Sequence, residues 1–192
     1  YGLESASPTV LKSMNKKINP DQVIRAMELA HEAEIGFSAN LIFGDVAETE
    51  HTWGESLAFW LEHCRKDMAF TATLMPYPGS KLFDVLQERG MYKDKKAYYE
   101  HIDSYIPNMS QIPNLIFQDL VKVTHMIGDS WLFVSLATGV KFEQYGELKH
   151  IWATCPYCGR ESFYIERMKE GSFTLGIGCQ HCNRKIRVVS HV

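Results

Sequence analysis

Four of the five cysteines fall into two short pairs, Cys155-Pro156-Tyr157-Cys158 and Cys179-Gln180-His181-Cys182, with 20 residues between the pairs. A two-residue gap lets both thiolates of a pair reach one ion from a single tight turn, about 2.3 Å from a zinc. Two such turns complete a tetrahedral site, and the spacing is that of a zinc-binding ribbon. Gly159 and Asn183 directly follow the second cysteine of each pair, where the chain can need a left-handed conformation. Residues 161–167, 173–177 and 185–189 alternate in strand fashion. The reading is a structural zinc held by Cys155, Cys158, Cys179 and Cys182, folding a segment of about residues 151–192 that is too small to bury its own core. A four-thiolate shell leaves no open coordination position, which argues against catalytic zinc. Disulfides are the competing use of these cysteines and fit a cytosolic chain poorly.

The rest of the sequence is that of a globular protein. At 192 residues it has the length of one medium domain, or of one with a small appendage, and falls short of the roughly 250 of a full eight-stranded barrel. Hydrophobic residues at 45% provide a core, and a formal charge of −3 gives no overall attraction to nucleic acid or anionic membranes. Residues 151–192 carry +3, leaving −6 elsewhere, so the ribbon can contact RNA or another polyanion, although such a balance more often marks a solvated face. There is no apolar run of about 18 residues and no signal-like start, so the expectation is a cytoplasmic protein without a membrane contact. The sequence opens at Tyr1 directly in a dense motif, which reads as the C-terminal part of a longer protein.

Residues 1–90 alternate strand-like and helix-like pieces. Tyr1 to Ser5 closes a strand; Asn19-Pro20 caps a helix that carries Val23, Ile24, Met27 and Ala30 on one face and stops at Gly36. Phe37 to Phe43 and Met68 to Met75 read as strands, with Trp53, Leu57, Trp60, Leu61 and Cys64 at helical spacing between them. This order predicts an α/β fold of parallel βα units, whose functional loops follow the strands. Residues 91–150 form an accessory, mainly helical connector with a helix after Pro113, and residues 151–192 the small β zinc ribbon. Cys64 shares the apolar face of Trp53 and Trp60, which predicts an inert buried thiol. The histidines form no metal-binding HxxxH or HExxH pattern, although His181 lies between two ligand cysteines and can hydrogen-bond near the metal. Tyr98, Tyr99, Tyr105 and Trp131 line a pocket or simply pack.

Glu4, Ser5 and Ser7 sit at the end of the first predicted strand, where a carboxylate and a hydroxyl can grip a ribose diol; equally, Glu4 or Ser7 caps the helix that starts at Pro8. The segment Gly2-Leu3-Glu4-Ser5-Ala6-Ser7, followed by Val10-Leu11 and Met14-Asn15-Lys16, resembles the fourth-strand motif of radical S-adenosylmethionine (radical SAM) enzymes. Ile42-Phe43-Gly44-Asp45-Val46-Ala47-Glu48-Thr49 is similar to that family's fifth-strand IFGxPGET motif, and Met75-Pro76-Tyr77-Pro78-Gly79-Ser80-Lys81-Leu82 to its sixth-strand PYPGTxL segment. The resemblance covers residues 1–90 and implies the rear half, strands four to six, of a partial (βα)6 TIM-like barrel. It implies that Glu4 and Ser5 or Ser7 contact the ribose or methionine part of S-adenosylmethionine. Ile42 and Gly44 would lie near the adenine, with Met75, Pro76 and Tyr77 offering backbone contacts. Ala6 stands where the family has Gly, Val46-Ala47 where it has Pro-Gly, and Ser80 where it has Thr.

The family's CxxxCxxC triad, which holds a 4Fe-4S cluster, does not occur in this sequence. The resemblance therefore implies a fragment, inactive by itself, of an iron-sulfur enzyme whose N-terminal half supplies the cluster and whose substrate is unknown. A zinc-ribbon binding module on an inactive half-barrel, contacting nucleic acid or protein, is the alternative. A third reading is an unrelated α/β enzyme using Glu4, Asp45 or Glu48 as acid and base; Glu48 otherwise serves the start of the following helix.

Overall fold

The computed structural model of the chain describes residues 1–92, 94–102, 106–128, 134–167 and 173–190. Two short helices open it: α1 (Pro8–Ser13), and α2 (Pro20–Glu32), which starts with a reciprocal cap in which the Asn19 side chain accepts from the Gln22 amide and the Gln22 side chain from the Asn19 amide. Strand β1 (Ser38–Phe43) pairs in parallel with β2 (Met68–Thr73), and between them run α3 (Glu50–Phe59) and a π-helical turn, Trp60–Cys64. Helices α4 (Lys81–Glu88), α5 (Lys95–His101) and α6 (Asn114–Gly128) follow.

The remaining strands are β3 (Ser135–Leu136), β4 (Thr138–Tyr145), β5 (Leu148–Thr154), β6 (Glu161–Arg167), β7 (Phe173–Gly178) and β8 (Lys185–Ser190). They form two three-stranded sheets, β4-β5-β6, antiparallel throughout, and β3-β8-β7, in which β7·β8 is antiparallel and the short β3 joins β8 in parallel. Left-handed Gly139 and Gly146, at φ 57° and 61°, sit at the β3–β4 end and in the β4–β5 turn.

This arrangement corrects the expected fold class. The fold is mixed α/β with antiparallel sheets, and the described residues contain no rear half of a (βα)6 barrel. The first predicted strand does not extend, because Glu4 turns to φ 63° and leaves a single bridge to Leu41 in place of a ladder. Among the described residues the parallel sheet is thus two strands wide. Nor is the connector mainly helical beyond α6: residues 135–150 enter the sheets, with Lys149, Ile151 and Ala153 of β5 turned inward in alternation. Helix α2 also ends before Gly36, since Glu34 at φ 54° closes it and the Ile35 amide returns to the Ala30 carbonyl.

Leu3, Leu41, Phe43, Trp53, Trp60, Phe117 and Val121 form the core around β1 and β2. Trp53 lies 4.7 Å from Phe43 and edge-on to Phe117 at 5.8 Å, and its buried indole N–H donates to Thr124 Oγ1 at 2.9 Å. A second core joins these two three-stranded sheets through Ile151, Ala153, Ile177, Ile186 and Val188, with Cys155 and Cys179 among them. No helix among the described residues is long and apolar enough to cross a membrane.

Candidate metal centre

Each cysteine pair lies at the tip of an antiparallel hairpin, and the two tips are built alike. In the first, Thr154 of β5 opposes Glu161 of β6. Beyond that pair, the Cys155 amide donates to the Arg160 carbonyl and the Gly159 amide to the Cys155 carbonyl, both at 2.9 Å, while the Tyr157 amide reaches Cys155 Sγ at 3.4 Å. In the second, Gly178 opposes Lys185, the Cys179 amide donates to the Arg184 carbonyl and the Asn183 amide to the Cys179 carbonyl, again at 2.9 Å, and the His181 amide reaches Cys179 Sγ at 3.4 Å. The reversal that lets the second cysteine of each pair face the first needs a left-handed residue, supplied by Gly159 at φ 70° and Asn183 at φ 59°.

These tips bring all four sulfurs within 4.8 Å of one another. Cys155 Sγ is 3.6 Å from Cys182 Sγ and Cys158 Sγ is 3.8 Å from Cys179 Sγ, so each contact joins one tip to the other. Four sulfurs at about 2.3 Å from a common centre stand about 3.8 Å apart along a tetrahedral edge. A disulfide needs about 2.05 Å, and all the cysteines are free. The four residues form a cluster that can hold a metal ion.

The electrostatics of the site also call for a cation. Burial pushes the Cys182 thiol up to about 12, assisted by sulfur neighbours and opposed by the Arg184 amide. Burial raises Cys155 as well. Burial acts on Cys179 too, yet the amides of Cys182 and His181 and the Ser162 hydroxyl outweigh it and bring this thiol down to about 6. Burial thus works against negative charge on Cys155 and Cys182. Four thiolates at these distances require a positive charge between them. Around the site, the His181 ring nitrogen Nε2 lies 2.8 Å from the Glu161 carbonyl and so ties one tip to the other.

No protein-family model matches the chain, and no curated protein matches it.

Among the other candidates, Glu4 has its carboxylate on Lys16 Nζ at 2.8 Å, with the side chain 17% exposed. Ser5 is buried: its hydroxyl lies 2.9 Å from Ser56 Oγ and accepts from the Ser7 amide at 3.1 Å. Ser7 occupies the N-cap position of α1 without a side-chain cap bond, and its buried Oγ has no partner among the described residues. The Ile42 amide donates to the Glu4 carbonyl at 2.7 Å, and Gly44 takes φ 101°, with the Phe117 ring where a Cβ would point. The Leu74 amide donates to the Phe43 carbonyl at 2.7 Å, which sets Met75 beside the end of β1. The Pro76 carbonyl is taken by the Tyr98 hydroxyl at 2.8 Å, the Tyr77 carbonyl by Ser80, and the Tyr77 ring is exposed. The structure thus sets Glu4, Ile42, Gly44 and Met75 on adjoining backbone, while Ser5 is turned inward to Ser56 and Tyr77 outward.

Thr49, with Thr52, caps α3. Glu48 is fully buried instead: its Oε2 accepts from the Gly44 amide and its Oε1 has no partner among the described residues. Burial pushes this carboxyl up to about 7 against the opposing effect of the Gly44 and Asp45 amides. Cys64 is buried and its thiol is pushed up to about 12, first by burial and then by Asp67. Tyr98 packs against Phe83 and Tyr92, whereas Tyr105 and Trp131 lie outside the described residues. Sequence reasoning missed Asp67, a buried carboxylate held by His31 and Arg184; an acid at the mouth of a strand carries no periodic signal.

Proposed function

We propose that the chain carries a structural zinc ion on Cys155, Cys158, Cys179 and Cys182, and that this ion holds together the two antiparallel sheets as a module for positioning or recognition. The observation that carries the reading is the pairing of like hairpin tips with sulfurs at tetrahedral separation. Thiolate ligands favour zinc or an iron centre over calcium or magnesium, and the closed four-sulfur set suits a structural role. The small core of these sheets has Cys155 and Cys179 within it, so metal binding and folding of the module are one process. Elemental analysis of protein purified under reducing conditions tests this: one zinc per chain is expected, and stoichiometric iron or no metal contradicts it.

A second reading concerns residues 1–90, where the motif resemblance supports membership of the radical SAM enzymes and contact with S-adenosylmethionine, the cluster being supplied by a separate N-terminal half. What favours it is that the three motif segments adjoin: Glu4 bridges Leu41, and the Leu74 amide donates to the Phe43 carbonyl. Glu4, Ser5 or Ser7, Ile42, Gly44 and the backbone of Met75, Pro76 and Tyr77 are the contacts in this reading. Equilibrium dialysis with labelled S-adenosylmethionine tests it. Glu4→Ala is expected to weaken binding at least about tenfold, the cost of a lost charged hydrogen bond; equal binding by parent and variant contradicts the assignment.

A further inference from the structure

The second cysteine turn does two jobs with the same three residues. Asn183, Arg184 and Lys185 close the turn around Cys179 and Cys182, and they also dock it on the earlier part of the chain. The Lys185 amide donates to the Lys66 carbonyl at 2.8 Å, and Asn183 Nδ2 donates to the Glu34 carbonyl at 3.2 Å. Arg184 Nη1 reaches both oxygens of Asp67, at 3.4 and 3.5 Å. His31 completes the cluster, with Nε2 3.0 Å from Asp67 Oδ1 and Nδ1 3.5 Å from Arg184 Nη2. The tautomer that satisfies both contacts carries its proton on Nε2. From the first turn, Arg160 adds a 3.7 Å ion pair to Glu34.

Asp67 is only 2% exposed and is held by these partners; breaking a buried ion pair by removing one member is strongly destabilising. Contact is also close at Gly36, where a Cβ would stand 2.6 Å from Asn183 Oδ1. Beside the cluster lies a polar cleft of about 260 Å³, lined in part by His31, His63, Arg65, Lys66 and Arg184.

We infer that occupancy of the four-cysteine site controls whether the cysteine-bearing sheets stay docked on the end of α2 and the start of β2. The inference rests on the metal-site reading. Metal fixes the turn that presents Asn183, Arg184 and Lys185 in register. Its loss releases Arg184 from Asp67 and opens the cleft. Because coupling between two sites is reciprocal, a change on the docking side must alter metal affinity by the same factor that metal alters docking.

The test measures zinc affinity by competition with a chromophoric chelator, in the full chain under reducing conditions, for the parent, Gly36→Ala and Asp67→Asn. Gly54→Ala serves as the control, since a Cβ there meets none of the described residues within 4 Å. Both docking variants are expected to bind zinc about 5- to 100-fold more weakly, within the usual range of coupling, and the control unchanged. Hydrogen exchange on the parent protein needs no variant. Stripping zinc is expected to speed exchange of the Ile35 and Asp67 amides at least about tenfold, one pKa-unit equivalent of protection, and to leave that of Ile42 unaltered. Parental zinc affinity in both variants, or unchanged protection at Ile35 and Asp67, overturns the coupling while leaving the metal site standing. A reduced chain that binds no zinc overturns both.

Discussion

Cys155 Sγ lies 3.6 Å from Cys182 Sγ, although the two residues are 27 positions apart and belong to different hairpins. A site assembled across two sheets in this way makes its ion a cross-link. Cys182→Ala is therefore expected to cost the zinc and with it the β3–β8 sheets. Their amides should lose protection from hydrogen exchange while those of β1 and β2 keep it. Retained protection in Ile151 and Ile186 would show that the second core folds without metal.

Gly159→Ala isolates the backbone requirement of the first turn. No described residue lies within 4 Å of the added Cβ, so the cost is that of the left-handed φ of 70°, about 1–2 kcal/mol. The expected result is a matching drop in stability by urea titration of the zinc-loaded protein. An unchanged midpoint would mean that this turn relaxes to another conformation.

Glu48 predicts a pH dependence with a definite sign. Its folded-state pKa of about 7 lies above the ordinary 4.5, so the stability it contributes is fully present below pH 4.5 and is lost as pH rises through 7. At about 1.4 kcal/mol per unit the loss is of the order of 3 kcal/mol. Glu48→Gln keeps an acceptor for the Gly44 amide and cannot ionise; it is expected to abolish this part of the slope and to be the more stable protein at pH 8. Identical slopes for parent and variant between pH 5 and 8 would show that Glu48 is not the group responsible.

The Trp53–Thr124 hydrogen bond gives a fourth expectation. Thr124→Val preserves volume but leaves the buried indole N–H without its acceptor, at a cost of about 1–3 kcal/mol. In a double-mutant cycle with Trp53→Phe the two losses should be less than additive. Strict additivity would mean that the bond contributes nothing.

What the sequence made legible was local. The cysteine spacing, the left-handed positions Gly159 and Asn183, and the Asn19-Pro20 cap each depend on a few consecutive residues, and each is visible in the side-chain types themselves. Pairing partners were not legible. The apolar runs Phe37 to Phe43 and Met68 to Met75 mark strands, but nothing in them says that, among the described residues, the sheet stops at two because Glu4 turns away. Residues 135–150 read as connector because their alternation is one-sided and much of β4 is exposed. Gly36 reads as a helix stop, whereas its use is close approach to Asn183, 147 positions later. The docking cluster of His31, Asp67 and Arg184 is assembled across the whole chain and leaves no pattern in any window of it.

The most direct test of the account is X-ray absorption at the zinc edge on protein purified under reducing conditions. Four sulfur neighbours at about 2.3 Å and none of nitrogen or oxygen are expected. A mixed coordination sphere, or no bound zinc with the four cysteines paired as disulfides, would contradict it.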